Sequence, residues 1–134
     1  MALSGTLYGV CDNTNYELSC TWSATQSIVN NTSTITAKVY LKAPSGWSTD
    51  SSYWSCVING ETVTTNKDVV VGSTKVLLGQ RSWTVSHNNN GSLSTTISFS
   101  YSNGLTSAGT YTTKSGSGSA TVTLDTIPRV SSFH

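Results

Sequence analysis

Between Ser82 and Tyr101 the chain alternates with a period of two residues, and this constrains its fold more than any other stretch. Trp83, Val85 and His87 fall on one side of an extended backbone, with Ser82, Thr84 and Ser86 on the other. After Asn88-Asn89-Asn90-Gly91 the pattern resumes, with Leu93, Thr95, Ile97, Phe99 and Tyr101 opposed by Ser94, Thr96, Ser98 and Ser100. Successive side chains on a strand point to opposite faces, so each run has one apolar and one hydroxyl face. Asn and Gly accept the positive φ of tight turns, which predicts a hairpin turning at residues 88–91. Two strands with one apolar side are not stable alone in water. A second layer must therefore cover Trp83, Val85, Ile97 and Phe99.

The remaining segments predict where that layer comes from. Leu3–Val10 reads as a first strand and Tyr16–Ala24 as a second, with Tyr16, Leu18, Cys20 and Trp22 on its apolar face. Gln26–Thr32 reads as an Asn-rich loop. Ser33–Lys42 is a third strand, with Ile35, Ala37, Val39 and Leu41 inward and Tyr40 and Lys42 outward. Ala43-Pro44-Ser45-Gly46 stops it, because Pro and Gly together cannot extend a central strand. Tyr53–Ile58 is a fourth strand, and Asn59-Gly60 is the strongest hairpin signal present. It leads to a short return over Glu61–Thr65. Asp68–Leu78 is apolar but broken at Gly72-Ser73, and reads as two short strands or an edge. Ser107–Thr113 is a further short strand, Lys114–Ser119 a Gly/Ser loop, and Ala120, Val122 and Leu124 mark the last strand.

About eight to ten short strands with regular turn signals predict an all-β fold, an antiparallel β-sandwich of immunoglobulin-like or jelly-roll-like kind. A small closed β-barrel is the alternative. The inner faces are expected to hold Trp22, Ile35, Val39, Trp54, Ile58, Trp83, Ile97, Phe99, Val122 and Leu124. The 134 residues suit one domain, expected over 1–129, with 130–134 a tail or the start of a linker.

Composition removes several function classes. Charged residues are 10% and the net charge is +1, with no basic stripe, which argues against nucleic acid or an anionic membrane as partner. Ser and Thr make up about a third of the chain, but they interleave with apolar residues, as strand faces do and disordered stalks do not. No apolar run reaches membrane-spanning length, and MALSGTLYG has neither the charged nor the apolar part of a secretory signal. The three cysteines, Cys11, Cys20 and Cys56, match no zinc spacing, and no cofactor or metal is implied. They read as small buried apolar residues, with a Cys11–Cys20 bridge as the open alternative.

The acids Asp12, Glu17, Asp50, Glu61, Asp68 and Asp125 lie singly, mostly in predicted turns. Catalysis needs converging groups, so no catalytic residue is assigned. His87 could pair with a serine, but no GxSxG elbow occurs. It reads as a hydrogen-bonding turn residue. A sugar site instead needs an aromatic face with polar groups beside it. Trp47, in the loop after Pro44 and Gly46, is the best candidate. Asp50 and Tyr53 follow it, and Tyr40 and Lys42 on the preceding strand would border the same surface.

Several segments carry a resemblance, in order along the chain. They are Thr21-Trp22-Ser23 through Gln26-Ser27-Ile28 to Asn30-Asn31-Thr32-Ser33; Tyr40-Leu41-Lys42 with Gly46-Trp47-Ser48; Val57-Ile58-Asn59-Gly60; Val85-Ser86-His87-Asn88 with Gly91-Ser92; and Ala120-Thr121-Val122-Thr123-Leu124-Asp125-Thr126-Ile127-Pro128-Arg129. Together they resemble the β-rich domain near the N-terminus of minor structural and tail proteins of phages that infect Gram-positive bacteria, streptococcal siphophages especially. The resemblance implies a virion component made in the bacterial cytoplasm and a part in host recognition. Its implied partners are a host cell-wall glycan or teichoic acid and other virion proteins, with homo-oligomerisation compatible. It brings no catalytic residues.

Overall fold

The computed structural model describes residues 1–49, 52–104 and 111–129. Nine strands are assigned among them, and no helix. They are β1 (Ser4–Tyr8), β2 (Val10–Cys11), β3 (Glu17–Ser27), β4 (Thr32–Lys42), β5 (Ser52–Ile58), β6 (Glu61–Val69), β7 (Val76–Ser86), β8 (Ser94–Asn103) and β9 (Ser115–Thr123). One sheet has the order β1-β3-β4-β7 and the other β2-β9-β8-β5-β6, with all strand pairs antiparallel. The fold is thus an antiparallel β-sandwich. It is not a closed barrel, because each sheet ends in edge strands.

The period-two pattern sets the core. β4 alternates without a break, burying Ile35, Ala37, Val39 and Leu41 while Thr34, Lys38 and Lys42 face out. Opposite them β5 and β8 bury Trp54, Cys56, Ile58, Ile97, Phe99 and Tyr101. Each large apolar side chain so buried is worth about 1.5–3 kcal/mol. Trp83, expected in the core, is only half-buried. Its strand is the edge of its sheet, and the Arg81 guanidinium covers its ring at 5.3 Å from the centroid. The Asn59-Gly60 turn forms as expected, with φ of 48° and 80°. Its return strand runs on to Val69, beyond the short segment expected.

The expected hairpin over Ser82–Tyr101 does not form. β7 pairs with β4 in one sheet, and β8 pairs with β5 and β9 in the other. Residues 87–93 are instead a corner that carries the chain from one layer to the next. His87, 6% exposed, fills it. Its Nδ1 lies 2.7 Å from the Gly91 carbonyl and its Nε2 lies 2.6 Å from Ser33 Oγ. A carbonyl only accepts, so Nδ1 carries a proton and donates to it, while Nε2 and the Ser33 hydroxyl share the second bond. Gly91 has φ +89°, and a Cβ there would collide with the Ile127 carbonyl. The turn residues were legible; that their strands belong to different sheets was not.

Two other expectations fail for related reasons. Lys114–Ser119 is not a loop, since Ser115–Ser119 begins β9. Its glycines lie under aromatic rings: Gly116 pairs with Tyr101 and Gly118 with Phe99. A Cβ on Gly116 would stand 2.6 Å from Tyr101 Cε1, and one on Gly118 would enter the Phe99 ring. Leu3–Val10 is not one strand. It splits at Gly9, whose N–H still bonds Leu18 in the first sheet at 2.9 Å, while Val10 already pairs with Ser117 in the second. Gln26, Ser27 and Thr32, expected in a loop, extend the β3–β4 hairpin. The strand expected at Ser107–Thr113 lies partly outside the described residues, and its described part is a turn followed by irregular chain.

All three cysteines are buried free thiols. Cys11 and Cys20 lie in different sheets, and no bridge joins them. A parallel bridge pairs Ala2 with Leu124, so both ends of the described chain meet at one end of the sandwich. The loop after β4, the turn at 12–16 and residues 111–114 gather at the other.

Candidate functional site

The loop after β4 is pinned at both ends by the segment before β7. Ala43 N–H donates to the Gly72 carbonyl at 2.8 Å, and Thr49 N–H to that of Val71 at 2.9 Å. Val71 N–H in turn donates to Thr49 Oγ1 at 2.9 Å, which accounts for a threonine that is 2% exposed. Between these pins the chain turns outward. Trp47 N–H bonds the Pro44 carbonyl at 3.0 Å, and Gly46 takes φ +83°, a left-handed conformation that favours glycine. Pro44 and Gly46, the residues that end the strand, therefore also build the turn that displays Trp47.

Trp47 packs against the edge of the core. It stands half-buried between two tyrosines. Tyr16 lies beneath, with ring centroids 6.4 Å apart and planes at 57°. Tyr111 packs edge-to-face, at 4.9 Å and 86°, an arrangement aromatic quadrupoles favour. The Tyr16 hydroxyl donates to the Tyr111 carbonyl at 2.7 Å. Burial raises the Tyr16 pKa, with a smaller push from Cys11, so this phenol is a donor at any ordinary pH. Gly46, Trp47, Ser48 and Tyr111 line an open cleft of about 390 Å³. Its walls are aromatic, and the residues that line it bring the Ser48 and Tyr111 hydroxyls, the Trp47 indole N–H and backbone groups. That suits the apolar face of a sugar ring with hydroxyls at its rim.

The other residues expected at this site do not gather there. Tyr40 and Lys42 project outward from β4 in the first sheet, where Lys75 Nζ sits 4.9 Å from the Tyr40 ring centroid. Tyr53, 58% exposed, alternates with inward Trp54 and so projects from the outer face of the second sheet. The two groups lie on opposite sides of the sandwich and none of them lines the cleft. The alternation showed that each points outward, but not which sheet carries it. Asp50 lies outside the described residues. Tyr111 is the residue that sequence reasoning missed; it reaches Trp47 because β8 ends and β9 begins at this end of the sandwich.

Residues 111–114 are held by the turn at 12–16. Asp12 Oδ1 accepts from Thr113 Oγ1 at 2.6 Å and from Lys114 N–H at 3.0 Å. Asn13 Nδ2 donates to the Thr112 carbonyl at 2.9 Å, and Asn103 Nδ2 to that of Thr113 at 2.7 Å. Thr113 Oγ1 also bonds the Tyr101 hydroxyl. Desolvation pushes the Asp12 pKa up, but bonds from Thr113, Lys114, Asn13 and Ser115 outweigh it and hold the carboxyl below its ordinary range. Burial raises the pKa of Tyr101, and raises that of Cys11 despite a bond between the two.

Two further features have site-like geometry. The Ser33–His87 pair has the spacing of a nucleophile and its base, but Ser33 is 0% exposed and no substrate reaches it. A shallow trough of about 360 Å³ crosses the outer face of the second sheet, lined by Val57, Ser98, Phe99, Ser100, Ser117, Gly118 and Ser119. Phe99 is 2% exposed, so the trough offers hydroxyls but no exposed aromatic face. No group of three His, Cys, Asp or Glu side chains converges among the described residues. No protein-family model matches the chain, and it has no significant match among curated proteins or solved structures.

Proposed function

We propose that this chain is a non-catalytic domain of a phage virion, at the tail or surface, that takes part in recognising a Gram-positive host through a cell-wall carbohydrate. The virion setting rests on the sequence resemblance. The carbohydrate reading rests on one observation, the open Trp47–Tyr111 cleft with a serine at its rim. A neutral sugar fits its lining better than the phosphates of a teichoic acid, since no cation lines it. The test is binding of the purified domain to host cell walls. Trp47→Ala is expected to abolish retention while the melting temperature stays within a few degrees of wild type. Equal retention of the variant, or none by the wild type, defeats the reading.

A second reading makes the domain a structural spacer in the virion with no ligand. It is favoured by the opposite end of the sandwich, where Ile28 and Val29 at the β3–β4 turn are 58% and 91% exposed. Such a tip suits burial against another virion protein or a second copy. Solution mass separates the readings: an oligomer dispersed by Val29→Asp supports assembly, and a monomer removes the support for self-association.

A further inference from the structure

The cleft is formed by two distant parts of the chain, and Gly46, Trp47 and Ser48 sit on the loop that is anchored at both ends to the segment before β7. Tyr111 is 60% exposed, and its ring has no floor of its own. Its position is set by the four residues 111–114, and every one of those is gripped from the turn at 12–16 or from β8. The Tyr111 carbonyl takes the Tyr16 hydroxyl. The Thr112 carbonyl takes the Asn13 amide. Thr113 and Lys114 both donate to the Asp12 carboxylate. Asn103 closes the far side, its N–H meeting the Lys114 carbonyl at 3.0 Å.

Within this grip Asp12 is not interchangeable with its neighbours. It gathers donors from Asn13, Thr113 and Lys114, and its own N–H bonds the Ser115 carbonyl at 2.9 Å. Bonds to an ionised acceptor are about twice as strong as neutral ones. An asparagine keeps the shape and one acceptor oxygen, but turns an NH₂ group toward donors that Asp12 accepts from.

We infer that Asp12 is a positioning residue for the cleft, fixing residues 111–114 so that the Tyr111 ring stands edge-on to Trp47 before any ligand arrives. The inference deepens the carbohydrate reading and rests on it for its functional meaning, though not for its structural test. A preformed slot spares the ligand the cost of ordering Tyr111. Releasing one side chain of this kind weakens affinity by about two- to tenfold.

The test uses the four tryptophans as internal reporters, through their indole N–H resonances in the whole chain. Tyr111→Ala defines the shift that Trp47 shows when its partner ring is gone. Asp12→Asn is expected to move the Trp47 signal in that same direction and leave those of Trp22, Trp54 and Trp83 in place. Thr113→Val, which keeps the buried volume and removes the hydroxyl, is expected to give a smaller shift of the same sign. It serves as the readout if Asp12→Asn does not fold.

Acid titration of the wild type adds a second signature. A lowered carboxyl pKa means that the bonds are complete above 3.8 and are lost as pH falls through the lower native value. The Trp47 signal is therefore expected to move with a midpoint below 3.8, and not to move in Asp12→Asn. Cys11, Tyr16 and Tyr101 lie in the same cluster but are kept neutral by raised pKa values. None of these three reproduces the transition. An unmoved Trp47 signal in both variants overturns the inference, as does a common shift of all four indoles. Cell-wall binding then separates the two readings. If wild type binds, Trp47→Ala does not and Asp12→Asn binds as wild type, the positioning role falls and the proposed function stands. If wild type does not bind, the proposed function falls and the indole shifts still decide the role of Asp12.

Discussion

Gly116 and Gly118 show how one residue type serves opposite purposes. In the sequence their Ser-Gly alternation looks like a flexible link. In the sheet they are the places where β9 thins to admit the Tyr101 and Phe99 rings. Gly118→Ala is therefore expected to destabilise the domain by about 1–3 kcal/mol, the range for overpacking a core, in a urea titration with unchanged slope. Ser117→Ala, one residue away and exposed, is the control expected within about 0.5 kcal/mol of wild type. The thiols give a second residue-scale prediction. Burial raises Cys20 to about 11 and Cys56 to about 12. An aromatic disulfide reagent at pH 8 should modify neither until the protein unfolds. Raised values favour the folded state below the unfolded thiol pKa of 9.0, and that advantage is lost as pH climbs through the native values. Stability should thus fall in alkali, and replacing both cysteines by alanine should flatten that limb. The buried phase of Cys20 and Cys56 was legible from their apolar neighbours; the need for Gly118 was not, because a glycine carries no mark of what presses on it.

At the scale of elements, alternation identified strands well and their partners poorly. β3, β4, β5 and β8 follow from period two, and the β5–β6 hairpin follows from Asn59-Gly60. The relation of β7 to β8 does not, because an Asn-rich turn is equally at home in a hairpin and in a corner between sheets. The deciding residue is His87, whose ring occupies the space that a hairpin would leave to water. His87→Ala is expected to leave buried Ser33 Oγ unmet, at about 1–3 kcal/mol, while the Gly91 carbonyl keeps the Ile127 N–H at 2.9 Å. Ser33→Ala tests the same corner more mildly. If the two losses add without coupling in a double-mutant cycle, the His87–Ser33 bond does not hold the corner. The candidate site divides in the same way. Trp47 was legible because Pro44 and Gly46 end a strand just before it. Tyr111 was not, since its meeting with Trp47 depends on bonds from the distant turn at 12–16.

For the whole molecule, the two sheets divide the exposed residues into surfaces that cannot act on one small ligand together. Tyr40 and Lys42 serve one side and Tyr53 the other, so a single site drawn from all of them was never geometrically open. What remains is a molecule with two different poles. One carries Trp47 and Tyr111; the other carries the Ala2–Leu124 bridge and the Ile28–Val29 tip. The bridge has a practical consequence. Anything fused ahead of Met1 or behind the final strand leaves from the pole remote from the aromatic slot, so a tether at either terminus holds the domain like a lamp on a stalk, its slot turned outward. Domains anchored to a sensor surface through either terminus should capture wall fragments equally well, while anchoring through a cysteine placed at Ser45 should silence them.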